Sequence, residues 1–138
     1  MVASATLLFR VGGRLYGCDI RDAQEMVPFR PATRLPGAPS HVMGLINVRG
    51  TVVTVLDLGN RLDATRQATD DGTILLVRHR DRLVGVAVDE VVDVRTLDID
   101  ASRADEAGGA IVRGVATTED GAVVVLDLDG LIRQVLLS

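Results

Sequence analysis

Tryptophan is absent from this 138-residue chain, and two phenylalanines and one tyrosine are its only phenyl rings. Platforms on which nucleobases stack are therefore scarce, which argues against nucleic-acid binding. Lysine is missing too: all fifteen basic residues are arginine, spread along the sequence except for the close set Arg78, Arg80 and Arg82, and the net charge is −4. The one cysteine, Cys18, excludes an intramolecular disulfide, and its strand-like setting suits a small buried hydrophobe rather than a reactive thiol. No run approaches the roughly 18 to 20 unbroken apolar residues of a membrane span. Met1 to Phe9 followed by Arg10 lacks the layout of a signal peptide, so the reading is of a cytosolic protein without direct membrane insertion.

Chemistry-bearing patterns are equally sparse. His41 and His79 have no cysteine nearby and lack metal-ligand spacing, and both read as loop residues. The Asp127–Gly130 segment lacks the other oxygen ligands and the closing glutamate of a calcium loop. Gly12-Gly13 precedes a strand rather than a helix, so it is no phosphate-binding fingerprint, and no serine or threonine has a neighbouring histidine to activate it. Asp57, Asp89 and Asp127 each end a strand and raise the possibility of a carboxylate pair. Leucine follows Asp57 and Asp127, however, where an aspartic protease needs Ser or Thr, so these read as aspartates bonding nearby backbone amides. No cofactor is implied.

What is present is a succession of short Val/Leu/Ile-rich runs broken by Gly or Asp every eight to twelve residues, the spacing of an all-β sandwich or barrel. The strands fall at 5–11, 14–20, 25–29, 42–48, 51–57, 73–79, 82–88, 91–96, 110–117 and 122–127. Gly12-Gly13, His79 to Asp81 and Asp120-Gly121 form turns. Short helices are predicted over Ile20–Glu25 and Asp129–Leu137, the second carrying an apolar stripe of Leu131, Ile132, Val135 and Leu136. Polar loops are predicted over Gly59–Gly72 and over Asp98–Gly109, the latter an acidic surface excursion.

An internal repeat organises these strands. At a shift of seventy residues, Gly44, Val53, Val55, Leu56, Asp57 and Leu58 match Gly114, Val123, Val125, Leu126, Asp127 and Leu128. At a shift of sixty-eight, the hairpin from Leu8-Phe9-Arg10 to Arg14-Leu15-Tyr16-Gly17 falls on Leu76-Val77-Arg78 to Arg82-Leu83-Val84-Gly85. Two similar five-stranded units follow. Each is small for independent stability, which favours a single domain, residues 1–138, closed around a shared apolar seam and burying roughly two thirds of its unfolded surface. The central stretch runs from Leu35 to Leu58, where a Pro/Gly-rich lead-in enters two strands that reverse at Arg49-Gly50. Arg49 stands at that turn, solvated or presenting five donors to a carboxylate-bearing partner.

The segment Gly44-Leu45-Ile46-Asn47-Val48-Arg49-Gly50, followed by Val52-Val53 and Val55-Leu56-Asp57-Leu58, resembles the signature of the CheW family of chemotaxis coupling proteins. Supporting segments in family order are Phe9, Tyr16-Gly17, Ile20 and Gln24-Glu25-Met26, then Leu35-Pro36, Ala38-Pro39 and Gly85-Val86-Ala87-Val88-Asp89-Glu90-Val91. The resemblance implies two SH3-like five-stranded β-barrels sharing a hydrophobic core, with short helices including one at the C-terminus. It also implies a non-catalytic adaptor between the cytoplasmic tip of a chemoreceptor and the regulatory domain of a CheA-type histidine kinase. Carried onto this chain, Glu25 and Arg49 serve coupling and Gly44 and Asn47 belong to the same motif. A groove between the barrels, drawing on Gly85, Val91 and Val94, takes a receptor helix. Thr54 stands where the family commonly has Pro, and Ala23 where it has a larger aliphatic residue. Two other readings remain open: a sensor binding a small ligand in the inter-barrel groove, and an enzyme using Asp57 and Asp127.

Overall fold

Branched and aliphatic side chains in runs of six to ten residues, punctuated by tight turns, produce ten strands and two helices in this computed structural model, which describes residues 2–61, 72–107 and 110–137. In chain order they are β1 (Val2–Val11), β2 (Arg14–Asp19), β3 (Ala23–Pro28), β4 (Val42–Val48), β5 (Thr51–Asp57), α1 (Leu58–Arg61), β6 (Thr73–His79), β7 (Arg82–Val88), β8 (Glu90–Ile99), β9 (Val112–Thr118), β10 (Gly121–Leu126) and α2 (Leu128–Leu137). The strands form two five-stranded sheets, β8-β1-β2-β10-β9 and β3-β6-β7-β5-β4. The fold is all-β, two SH3-like barrels on a common core, and the two are called here the first and the second barrel.

The sequence repeat equates β1–β5 with β6–β10, and under that equation the two strand orders are identical. Yet neither barrel is one half of the chain. Each takes its central hairpin from one repeat and its other three strands from the other, joined through the parallel pairs β2–β10 and β5–β7. Equivalent bonds then draw the ends of each sheet together. Thr33 and Leu45 exchange backbone hydrogen bonds of 2.8 and 2.9 Å in the second barrel, and Asp100 and Val115 exchange bonds of 3.0 and 3.1 Å in the first.

Alternate residues along the central hairpins face different cores. Leu7, Phe9 and Val11 of β1 join Leu75, Val77, Val84, Val86 and Val88 of the other barrel, with Leu131, Ile132 and Val135 of α2, in one seam between the barrels. Leu8 and Leu15 point into the first barrel with Val123 and Val125, while Ile74 and Leu76 point into the second with Val53 and Val55. Cys18 is fully buried in the seam, and burial pushes its thiol up to about 12.

Several local expectations are corrected. No helix forms over Ile20–Glu25: the Asp22 N–H donates to the Asp19 carbonyl at 2.9 Å, closing a tight turn, and Ala23 already begins β3 against β6. His79 is no loop residue but the buried last residue of β6. Asp98 and Ile99 extend β8 because they pair with Ala3 and Val2, so the acidic excursion shrinks to two 3-10 turns, Ala101–Arg103 and Asp105–Ala107. Gly59 lies in α1, and most of the loop predicted after it, residues 62–71, lies outside the described residues. The C-terminal helix matches its expectation, beginning one residue earlier, with Asp127 capping it by accepting the Gly130 N–H at 3.0 Å. The side chain of Leu136, fourth in the stripe, is outside the described set.

Candidate functional site

The β4–β5 reversal is a two-residue turn with both residues left-handed, Arg49 at φ +50° and Gly50 at φ +87°. Such turns match the twist of a hairpin, and Gly or Asn ordinarily fills them. Asn47 supports the turn by accepting the Gly50 N–H on Oδ1 at 2.9 Å, while its carbonyl accepts Arg30 Nη1 at 3.0 Å. Arg49 is thereby aimed along the barrel tip toward β3. Its Nη2 donates to both oxygens of Glu25, 2.7 Å to Oε2 and 2.9 Å to Oε1. The two side chains are 69% and 39% exposed, so the pair is a surface ion pair contributing about 0–1 kcal/mol to stability.

The other residues singled out by sequence occupy different surroundings. Gly44 is buried, at φ +138°, and a Cβ there would overlap the Thr33 carbonyl oxygen that closes the barrel. Its repeat equivalent Gly114 stands in the same relation to Asp100, with a Cβ falling 2.5 Å from that carbonyl oxygen. Gly85 lies inside the second barrel, where a Cβ would come within 2.9 Å of Ile74 Cγ2. Gly44 is thus required by the close approach of the Thr33 backbone and Gly85 by the packing of Ile74 and Val55 inside the barrel, and neither presents a side chain. Val91 is partly buried against the inter-barrel seam, and Val94 is 48% exposed on β8. Glu25, Asn47 and Arg49 thus cluster at the tip of the second barrel, whereas Val91 and Val94 belong to an outer strand of the first.

Register explains this separation and exposes a feature that sequence reasoning passed over. Met26 pairs with Leu75, and Val94 pairs with Leu7, the repeat equivalent of Leu75. Met26 and Val94 are therefore the same position in the two barrels, both exposed apolar residues on an outer strand. Glu25 and Asp93 correspond in the same way, opposite Leu76 and Leu8. The position of Arg49 is filled in the first barrel by Glu119, and the tip is tied differently: Arg95 bridges Asp93 and Asp120 at 3.2 Å each. The Val94 N–H and Arg95 hold the Asp93 carboxyl below its ordinary range. Both barrels lash an outer strand to a hairpin tip, but only the second offers an arginine at the turn. The repeat alignment, extended to Met26, held the signal for this.

Asp57 and Asp127 stand immediately before α1 and α2, and Arg113 lies 3.7 Å from Asp127. Asp89 accepts the Gly12 N–H at 2.8 Å. Among the described residues no group of three or more His, Cys, Asp or Glu is placed to hold a metal ion. Among the described residues, surface clefts open on individual barrels, one of about 700 Å³ over β2 and β10 beside Arg10, Arg14 and Arg103, and another of about 340 Å³ over β5 and β7. No described helix is long and apolar enough to cross a membrane.

Comparison with known proteins agrees with this architecture. The chain is 31% identical over 131 residues to the chemotaxis protein CheW of Rhizobium meliloti (strain 1021), covering 91% of this chain and 84% of that protein. It is 35% identical over 92 residues to the chemotaxis protein CheW of Bacillus subtilis (strain 168), covering 66% and 59%. The crystal structure of the scaffolding protein TtCheW from Thermoanaerobacter tengcongensis superposes with a TM-score of 0.82 at 28% identity, over 93% of this chain and 86% of that one. The family profile of the CheW-like domain matches residues 5–136, and the chain belongs to that family.

Proposed function

We propose that this protein is a non-catalytic adaptor of chemosensory signalling, coupling the cytoplasmic tip of chemoreceptors to the regulatory domain of a CheA-type histidine kinase. It acts in the cytoplasm, recruited to membrane-associated receptor arrays. The observation that carries the reading is the exposed Glu25–Arg49 pair, held at a barrel tip by a left-handed turn and an Asn47 bond. An ion pair worth so little to the fold is cheap to rearrange. A partner carboxylate can therefore displace Glu25 from a guanidinium that the turn has already positioned, or a partner cation can take Glu25. Met26, the next residue on β3, is also exposed but pairs with Leu75 rather than Leu76, so it presents its apolar side chain on the opposite face of the strand from Glu25.

The test is a titration of the protein against a CheA-type regulatory domain and a receptor-tip fragment, wild type beside Arg49→Ala. Saturable binding of the wild type, weakened about thirtyfold by the substitution (roughly 2 kcal/mol) with an unchanged unfolding midpoint, supports the reading. No binding to either partner by folded wild-type protein sinks it.

A further inference from the structure

The arginine set Arg78, Arg80 and Arg82 on the β6–β7 hairpin is not used by the reading above. Strands β5 and β7 are parallel neighbours in register Thr54 to Val84, and both begin directly after a tight turn. The Arg49-Gly50 and Arg80-Asp81 turns therefore sit side by side at one end of the second barrel. Arg49 and Arg80, at φ +50° and +57°, are the non-glycine residues with left-handed backbone among those described. Glycine, Asn or Asp would hold such positions with less strain, and strain retained at a surface turn points to what the side chain does. Arg49 is held by Glu25, whereas Arg78, Arg80 and Arg82 are all exposed.

Between the turns lies the cleft of about 340 Å³, lined by Val52, Thr54, Arg78, Asp81, Arg82 and Leu83. Val52 is 63% exposed, the most exposed of the large hydrophobic residues among those described. The cleft thus sets the aliphatic side chains of Val52 and Leu83 between two arginines, Arg78 and Arg82, against one acid, Asp81, with Arg80 exposed at the adjoining turn, in a chain whose net charge is −4. We propose that this end of the second barrel is a docking site, separate from the Glu25–Arg49 pair, for an acidic segment of another protein in which carboxylates flank one aliphatic side chain. Guanidinium groups pair bidentately with carboxylates, and Val52 and Leu83 take the aliphatic side chain. A nucleic acid or an anionic membrane is a poorer occupant: either extends beyond the patch onto a net-negative body, and the chain has few aromatic rings for stacking.

The experiment is a heteronuclear NMR titration with a synthetic peptide in which four glutamates flank one leucine, alongside the same peptide with glutamine for glutamate. The glutamate peptide should shift the amides of Val52, Arg78, Arg80 and Leu83, saturably and less at higher salt, and the glutamine peptide should not. Arg78→Gln with Arg82→Gln should weaken binding at least tenfold. Arg80→Gly should also weaken it while leaving the unfolding midpoint equal or higher, because glycine relieves the left-handed turn. Equal shifts by the glutamine peptide, or shifts centred on Arg10 and Arg14, overturn the proposal. So does tighter binding of a DNA duplex or of phosphatidylserine vesicles at the same salt. Self-association in sedimentation that the double substitution abolishes would assign the patch to a second copy, and overturns it as well.

Discussion

Glycine positions at the single-residue scale divide by what surrounds them. At Gly44 a side chain meets the Thr33 carbonyl and a φ of +138°, so Gly44→Ala should lower stability by roughly 2–4 kcal/mol, read from denaturant unfolding. Gly50, at φ +87° with open space around it, meets only the backbone penalty, so Gly50→Ala should lower stability by about 1–2 kcal/mol. If the two substitutions prove equally costly, the closing contact at Gly44 is not what fixes glycine there. Partner binding by Gly44→Ala then has to be measured on the fraction that remains folded, because a buried residue changes the site only by moving Thr33 and β4. Cys18 makes the opposite point. With its thiol buried and pushed up to about 12, it should react with a thiol reagent at neutral pH no faster than the protein opens, and immediately in denaturant. Rapid reaction of the native protein would contradict the seam packing described above.

Elements are set by turns as much as by strands, and the β2–β3 connection shows how. The hydrogen bonds from Arg21 hold the Asp19 carboxyl down at about 2, and Asp19 also accepts the Arg21 N–H at 2.9 Å. A carboxyl with a depressed folded value binds protons less readily than in the unfolded chain. Its stabilisation is therefore complete above about pH 4, the ordinary Asp range, and is lost as pH falls toward 2. Asp19→Asn keeps an acceptor for the Arg21 N–H but cannot ionise, so the acid limb of stability between pH 4 and pH 2 should flatten in that variant. An unchanged limb would place the acid sensitivity elsewhere, for instance on Asp129, which His79 and Arg133 also hold low. This turn is where sequence reading failed, since Ile20–Glu25 has apolar residues at helical spacing and only the Asp19 bonds and the β6 edge decide for a strand. Strand positions were otherwise legible from Val/Leu/Ile runs and turn residues. The outer strand β8 read short because Asp98 looks like loop until its pairing with β1 is known. In the site, Glu25 and Arg49 were recognisable one by one, but a pair twenty-four positions apart in sequence meets only through β3 and the β4–β5 tip.

The whole molecule holds the one feature that periodicity could not disclose. A repeat equates β1–β5 with β6–β10 but is silent on whether each hairpin stays with its own three strands or exchanges, since both arrangements satisfy the same pattern of inward residues. Exchange is what the parallel pairs β2–β10 and β5–β7 record. Its consequence is that neither barrel exists within one half of the chain, and the seam joining them is built from both hairpins and α2. Truncating a seam residue, as in Leu75→Ala, should therefore lower stability by roughly 2–5 kcal/mol and destabilise both barrels together. Circular dichroism and amide exchange should then report one transition rather than two. The sharper test separates the halves. Fragments 1–61 and 72–138, each expressed alone, should lack the exchange protection of a folded barrel, because each leaves a hairpin without its three partners and exposes its share of the seam. Mixed at equal concentration they should recover the native strand signal. If either fragment folds alone into a protected five-stranded unit, the repeats can close without exchange. The interleaved topology would then be a preference of the joined chain rather than a requirement of its strands.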